Sequence, residues 1–131
     1  MLNIGRARTS DIKHAYVIWQ EKTGMATDIV VILCTAAPAE ASSMAQALVE
    51  QRIAACVNIV PVQSTYRWKG ELCNDPEHLM IVKTTRDGAD RAVAAIQSMH
   101  SAAVPEIIVL PVIAGHAPYL DWVRQETGGS P

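Results

Sequence analysis

Thr65-Tyr66-Arg67-Trp68-Lys69-Gly70-Glu71, followed by Glu77-His78-Leu79-Met80-Ile81-Val82-Lys83-Thr84-Thr85, decides the reading of this chain. The two runs read as long strands joined by a turn. Tyr66 and Trp68 share one face at period two, Arg67 and Lys69 share the other, and Gly70 with Asn74-Asp75-Pro76 supplies turn chemistry between them. The first of these strands extends back to Ala54, with Pro61 expected to force a bulge or break. The second runs from Leu79 to Thr85.

Outward from this hairpin the chain alternates. Asp28 to Thr35 is an apolar strand, and Pro38 to Arg52 is a helix with proline in its first turn and Ala41, Met44, Ala45 and Leu48 inward. After the hairpin, Asp87 is expected to cap a helix over 88–99 with Ala92, Val93, Ile96 and Met99 at helical spacing. Glu106 to Ile113 is a fourth strand whose Pro111 marks an edge or bulge. Pro118 opens a last helix, with Tyr119, Trp122 and Val123 on one side and Gly128-Gly129 as its stop. Residues 1–24 stand apart as an N-terminal extension, a short helix bearing Ile12, Ala15, Tyr16 and Trp19 on one face or a mobile tail, ahead of a domain spanning 25–131.

The fold class is therefore α+β: a ferredoxin-like βαββαβ sandwich with an extended hairpin between its second and third strands and a C-terminal helix. Right-handed crossovers put both main helices on one face of the sheet. Yet the strands are apolar on both faces, with Ile29, Val31 and Leu33 opposing Val30 and Ile32, and Ile107 and Val109 opposing Ile108 and Leu110. A second apolar face left bare on a monomer is a liability, so self-association is expected.

Composition narrows the function. The chain has 131 residues, a formal net charge of −2 and 50% apolar residues. It lacks any basic cluster that would mark a phosphate backbone, so neither nucleic acid nor an anionic membrane is an expected partner. Its apolar runs fall far short of the roughly 20 residues that span a bilayer. Three cysteines, Cys34, Cys56 and Cys73, match no zinc or CxxC spacing and favour free thiols in a reducing, cytoplasmic setting. The segment after the first strand, Thr35-Ala36-Ala37-Pro38, lacks the glycines and arginine of a phosphate loop. No motif joins Cys34 to His100 as nucleophile and base, and no enzymatic activity is expected.

The hairpin motif, together with Ala54-Ala55-Cys56-Val57-Asn58, Pro105-Glu106-Ile107-Ile108-Val109-Leu110-Pro111 and Tyr119-Leu120-Asp121-Trp122, resembles the CutA family of divalent-cation tolerance proteins over about residues 28–126. The resemblance implies a homotrimer whose sheets pack inward and whose long hairpin reaches a neighbour. It also implies a metal tolerance role, with copper or another divalent metal as ligand and no required cofactor. The positions matching the family's copper-type ligands are Cys34, His100 (or its neighbour Met99) and Glu106, with the soft thiolate of Cys34 expected to dominate. The sequence departs from the family at His100-Ser101-Ala102-Ala103-Val104, where aromatic and acidic residues are usual. A second implied site is a ligand cleft near a subunit boundary that gathers Trp68, Lys83, Tyr119 and Trp122 with Glu106. The alternative function is a trimeric small-molecule sensor or signalling scaffold resembling the PII-type proteins.

Overall fold

A computed structural model of the chain describes residues 27–128, so the expected N-terminal helix over 1–24 lies outside the described residues. The elements are β1 (Ile29–Ala36), α1 (Pro38–Glu50), β2 (Cys56–Trp68), β3 (Glu71–Thr85), α2 (Ala89–Met99), β4 (Ile107–Pro111) and α3 (Ala117–Glu126). The four strands form one antiparallel sheet in the order β2-β3-β1-β4. This is the ferredoxin-like arrangement read from the sequence.

The hairpin differs from its expectation in two respects. β3 starts at Glu71, so Asn74-Asp75-Pro76 lies within the strand and the turn is only Lys69-Gly70. Both turn residues have positive φ, +50° and +81°, as a two-residue type I′ connection requires. Nor does Pro61 break its strand: pairing runs without a bulge from Cys56 opposite Lys83 to Trp68 opposite Glu71. The reason is register. Pro61 faces His78 and Pro76 faces Gln63, positions of the same parity, and a proline is tolerated wherever the missing N–H would have pointed away from the ladder. β2 is an edge strand, and β3 outruns β1, whose last partner is His78, so neither proline interrupts a neighbouring strand. Thirteen residues of β2 carry the hairpin roughly 40 Å from its base.

One face of the sheet is dry. Val30, Ile32, Cys34 and Ala36 of β1 and Met80 and Val82 of β3 pack on Ala41, Met44 and Leu48 of α1 and on Ala92, Val93 and Ile96 of α2. Ile32, Leu48, Met80 and Ile96 are fully enclosed, and each contributes about 1.5–3 kcal/mol through burial. The hydroxyl of buried Thr84 donates to Ile53 O at 2.7 Å, tying the end of β3 to the loop after α1. Asp87 does not cap α2. Gly88 occupies the cap position, and its N–H is accepted by Thr85 Oγ1 at 3.1 Å.

The opposite face carries Val31, Leu33, Leu79, Ile81, Val60, Ile108 and Leu110, placed together by register. Ile108 and Leu110 are 47% and 41% exposed. α3 laps over one end of this face, where Leu120 and Val123 bury Ile29 and Ala55. Arg124 fastens that helix by a forked contact to Asp28, with Nε to the two oxygens at 2.7 and 2.8 Å, while Arg52 donates to Gln125 O at 2.8 Å. The inner side of α3 is thus Leu120 and Val123, whereas Tyr119 and Trp122 are 40% and 38% exposed, with ring centroids 5.6 Å apart.

Candidate functional site

The outer half of the hairpin and the loop after α2 enclose a cleft of about 790 Å³. Strand parity explains which hairpin side chains reach it. Thr35, Ser64, Tyr66, Trp68 and Glu77 all lie on the open face of the sheet, so the cleft and the bare apolar surface share one side of the molecule. The other wall is Ala102, Ala103, Val104, Pro105 and Glu106.

This loop is held at its start by four hydrogen bonds. His100 Nδ1 accepts the Ala102 N–H at 3.0 Å, so Nε2 carries the ring proton and donates to Thr35 O at 2.7 Å. Ser101 donates its N–H and its hydroxyl to the two oxygens of Glu40 at 2.9 and 2.7 Å. These bonds hold the Glu40 carboxyl below the usual range.

On the hairpin side, the Tyr66 hydroxyl donates to Asp75 Oδ2 at 2.5 Å, and the phenol is pushed up to about 12 by that bond. Lys69 Nζ sits 5.9 Å from the centre of the Trp68 ring, a cation–π contact.

The expected metal ligands come into one neighbourhood but not into one site. Cys34 is 0% exposed and faces the helices with Val30 and Ile32, away from the cleft. Burial pushes its thiol up to about 12, and the carboxylates of Glu106, Glu77 and Glu40 add to the shift. A buried neutral thiol is an apolar core group rather than a ligand. Both ring nitrogens of His100 are engaged, and Glu106 is exposed. Among the described residues no three His, Cys, Asp or Glu side chains are grouped so as to hold a metal ion. As folded, these residues do not fit a metal centre.

The expected ligand cleft divides in two. Trp68 and Glu106 line the cleft described above, together with Tyr66, Lys69 and Glu77, which the sequence reading did not select. Lys83, Tyr119 and Trp122 lie at the far end of the hairpin: Lys83 is paired with Cys56 and Val31, and Tyr119 approaches Cys56. Burial raises the Tyr119 phenol, with Cys56 adding to the effect. The parity of Glu77 with Leu79 and Ile81 was a signal that could have placed it on the open face. The contribution of the Ala102–Pro105 wall had no such signal, because it depends on how the loop folds back.

The family profile described as CutA1 divalent ion tolerance protein matches residues 29–126. The chain belongs to the CutA family. Among its relatives, the divalent-cation tolerance protein CutA of Thermus thermophilus is 45% identical over 100 residues, covering 76% of this chain and 97% of the relative. Human CutA is 46% identical over 88 residues, which span 66% of this chain and 49% of the human protein. The solved Thermus thermophilus structure superposes with a TM-score of 0.73, covering 76% of this chain and 99% of the other. A structure described as the PII-like protein CutA from Nostoc, in apo form, superposes with a TM-score of 0.74 at 35% identity, covering 77% of this chain and 99% of that one. These superpositions show that the chain shares its fold with the solved CutA structures.

Proposed function

We propose that this CutA protein is a cytoplasmic homotrimer that binds a small polar ligand in the hairpin cleft and serves cation tolerance by sensing rather than by catalysis. The observation that carries the reading is the coincidence of two features on one face: a cleft with aromatic and charged walls, and an apolar surface that a monomer would leave wet. Packing the open faces of three copies inward would cover Ile108, Leu110 and Val60 and would bring each hairpin against a neighbour. In such an assembly the tip residue Trp68 of one copy and the Lys83, Tyr119 and Trp122 group of another belong to one boundary, reuniting the divided cleft. The likeness to a protein described as PII-like supports a sensor. A binding role is further supported by Cys34, whose buried, protonated thiol is unsuited to nucleophilic attack. The three free thiols suit a reducing compartment.

A second reading, copper-type metal binding by the trimer, is favoured by the family's description as divalent ion tolerance proteins. It requires ligands from more than one chain or a rearrangement of His100. Anaerobic titration with Cu(I) and Cu(II) of the parent, Cys34→Ser, His100→Ala and Glu106→Gln proteins, beside a small-molecule screen read at Trp68, separates the two. One metal ion per trimer or per chain, lost in the His100 or Glu106 variant, supports the metal reading. Saturable small-molecule binding that depends on Trp68 supports the sensor, and a protein that stays monomeric at micromolar concentration sinks both.

A further inference from the structure

Arg52 stands where a helix end favours glycine. α1 closes in a Schellman turn: the Arg52 N–H donates to Val49 O and the Ile53 N–H to Leu48 O, both at 3.0 Å. Such a turn needs a left-handed residue, and Arg52 supplies it at φ +59°, a conformation that strains any residue with a Cβ. Strain held at one position points to what its side chain does. The guanidinium reaches α3, on the other face of the sheet. Nη2 donates to Gln125 O at 2.8 Å, a carbonyl that the last turn of α3 cannot bond for itself, and Nη1 lies 3.8 Å from Glu126 Oε2. The Arg52 carbonyl in turn accepts the Gly128 N–H at 3.1 Å. One residue thus terminates two helices. The rest of the attachment of α3 is small. Leu120 and Val123 bury against Ile29 and Ala55 in a cluster separate from the main core, and Tyr119 approaches Cys56. The Arg124–Asp28 pair is 38% and 45% exposed and open to screening by salt. Two buried side chains are a small return for ordering a ten-residue helix, a length that is marginal in water by itself.

We propose that Arg52 is the latch of a strap: α3 docks and releases as a unit, apart from the core, and the Arg52 guanidinium sets that equilibrium. The consequence for assembly rests on the trimer reading above. There Tyr119 and Trp122 meet a neighbouring copy, so the neighbour binds only a chain whose strap is docked. A partner that binds one state stabilises that state, and a chain in which the competent state is depleted assembles more weakly in proportion. Arg52 is not among the open-face residues that the copies bring together, so its effect on assembly runs through α3.

The test is hydrogen exchange read by mass spectrometry on the full-length parent, Arg52→Gly, Arg52→Asn and Arg52→Lys proteins, at concentrations well above any dissociation midpoint, beside light scattering over a dilution series. Arg52→Gly removes the strain from α1 and the latch from α3 at once, so the two helices should respond in opposite directions. Peptides over 117–126 are expected to exchange at least about tenfold faster than in the parent, while those over 38–54 exchange at the same rate or more slowly. Arg52→Asn, which tolerates the left-handed backbone without a guanidinium, is expected to loosen α3 in the same way. Arg52→Lys keeps a cationic donor and is expected to restore part of the protection. Trimers of the glycine and asparagine variants are expected to dissociate at severalfold higher concentration than the parent trimer. Unchanged exchange of α3 in both variants overturns the latch. Equal acceleration of α3 and β1 overturns the strap, since the helix would then open only with the whole fold. Faster exchange of α3 with an unmoved dissociation midpoint supports the latch and overturns its link to assembly. A parent that is monomeric throughout overturns the trimer reading and that link, while the exchange of α3 still decides the latch.

Discussion

Cys34 and His100, whose ring is bonded to the neighbouring Thr35 carbonyl, have opposite fates, because strand parity turns the Cys34 side chain toward the helices. Cys34 shares the dry face of β1 with Val30 and Ile32, where burial keeps its thiol protonated. A shift from 9.0 to about 12 lowers the thiolate fraction near pH 8 about a thousandfold. Alkylation with iodoacetamide, followed by peptide mass spectrometry, is expected to label Cys56 and Cys73 first and Cys34 only on unfolding. Cys34→Ser is expected to cost about 1–3 kcal/mol by burying a hydroxyl in an apolar core, seen as a fall of several degrees in melting temperature. A metal titration of that variant therefore needs a thermal melt beside it. His100 is fixed from both ends by Thr35 O and the Ala102 N–H. In His100→Phe the Ala102 amide loses its acceptor, and its hydrogen exchange is expected to accelerate while the core amides of β1 stay protected.

At the scale of elements, the hairpin turn and α3 make separate predictions. Nothing lies within 4 Å of a Cβ built on Gly70, so the cost of Gly70→Ala is conformational only, about 1 kcal/mol from the positive φ. Denaturant unfolding that shows no loss would mean the turn relaxes to another type. α3 depends on the Arg124 clamp. Hydrogen bonds from Arg124 hold the Asp28 carboxyl below its ordinary 3.8. A depressed folded value contributes stability above the unfolded value and loses it as pH falls through the folded one. The expected difference between parent and Asp28→Asn is thus a small drop in melting temperature at neutral pH that vanishes in acid. Because both partners are largely exposed, high salt should shrink it as well.

For the whole molecule, the open face makes the decisive prediction. The purified protein is expected to scatter light as three times its 14.2 kDa chain, and Leu110→Glu is expected to dissolve the assembly by placing an unpaired charge against an apolar partner. A stable parent monomer at micromolar concentration would overturn the trimer. Much of this architecture was legible in the amino-acid sequence. Alternating apolar residues on both faces of β1 and β4 are local facts, proline and helical spacing mark α1, and four ordered motifs carry the family. Periodicity of two or 3.6 residues is written along the chain, and burial follows it. The limits of β3, the inner side of α3 and the composition of the cleft were not legible in this way. Asn74-Asp75-Pro76 has turn chemistry, yet cross-strand pairing with β2 overrides it. Tyr119 and Trp122 are the bulkiest groups on α3, yet the end of the sheet receives Leu120 and Val123. Glu77 meets Glu106 across a cleft only because the hairpin and a loop nearly thirty residues later close on one another. Sequence by itself determined which residues shared a face, because that is set by backbone geometry within a few residues. Tertiary structure alone decided which faces met, because that depends on the register and reach of segments distant in the chain.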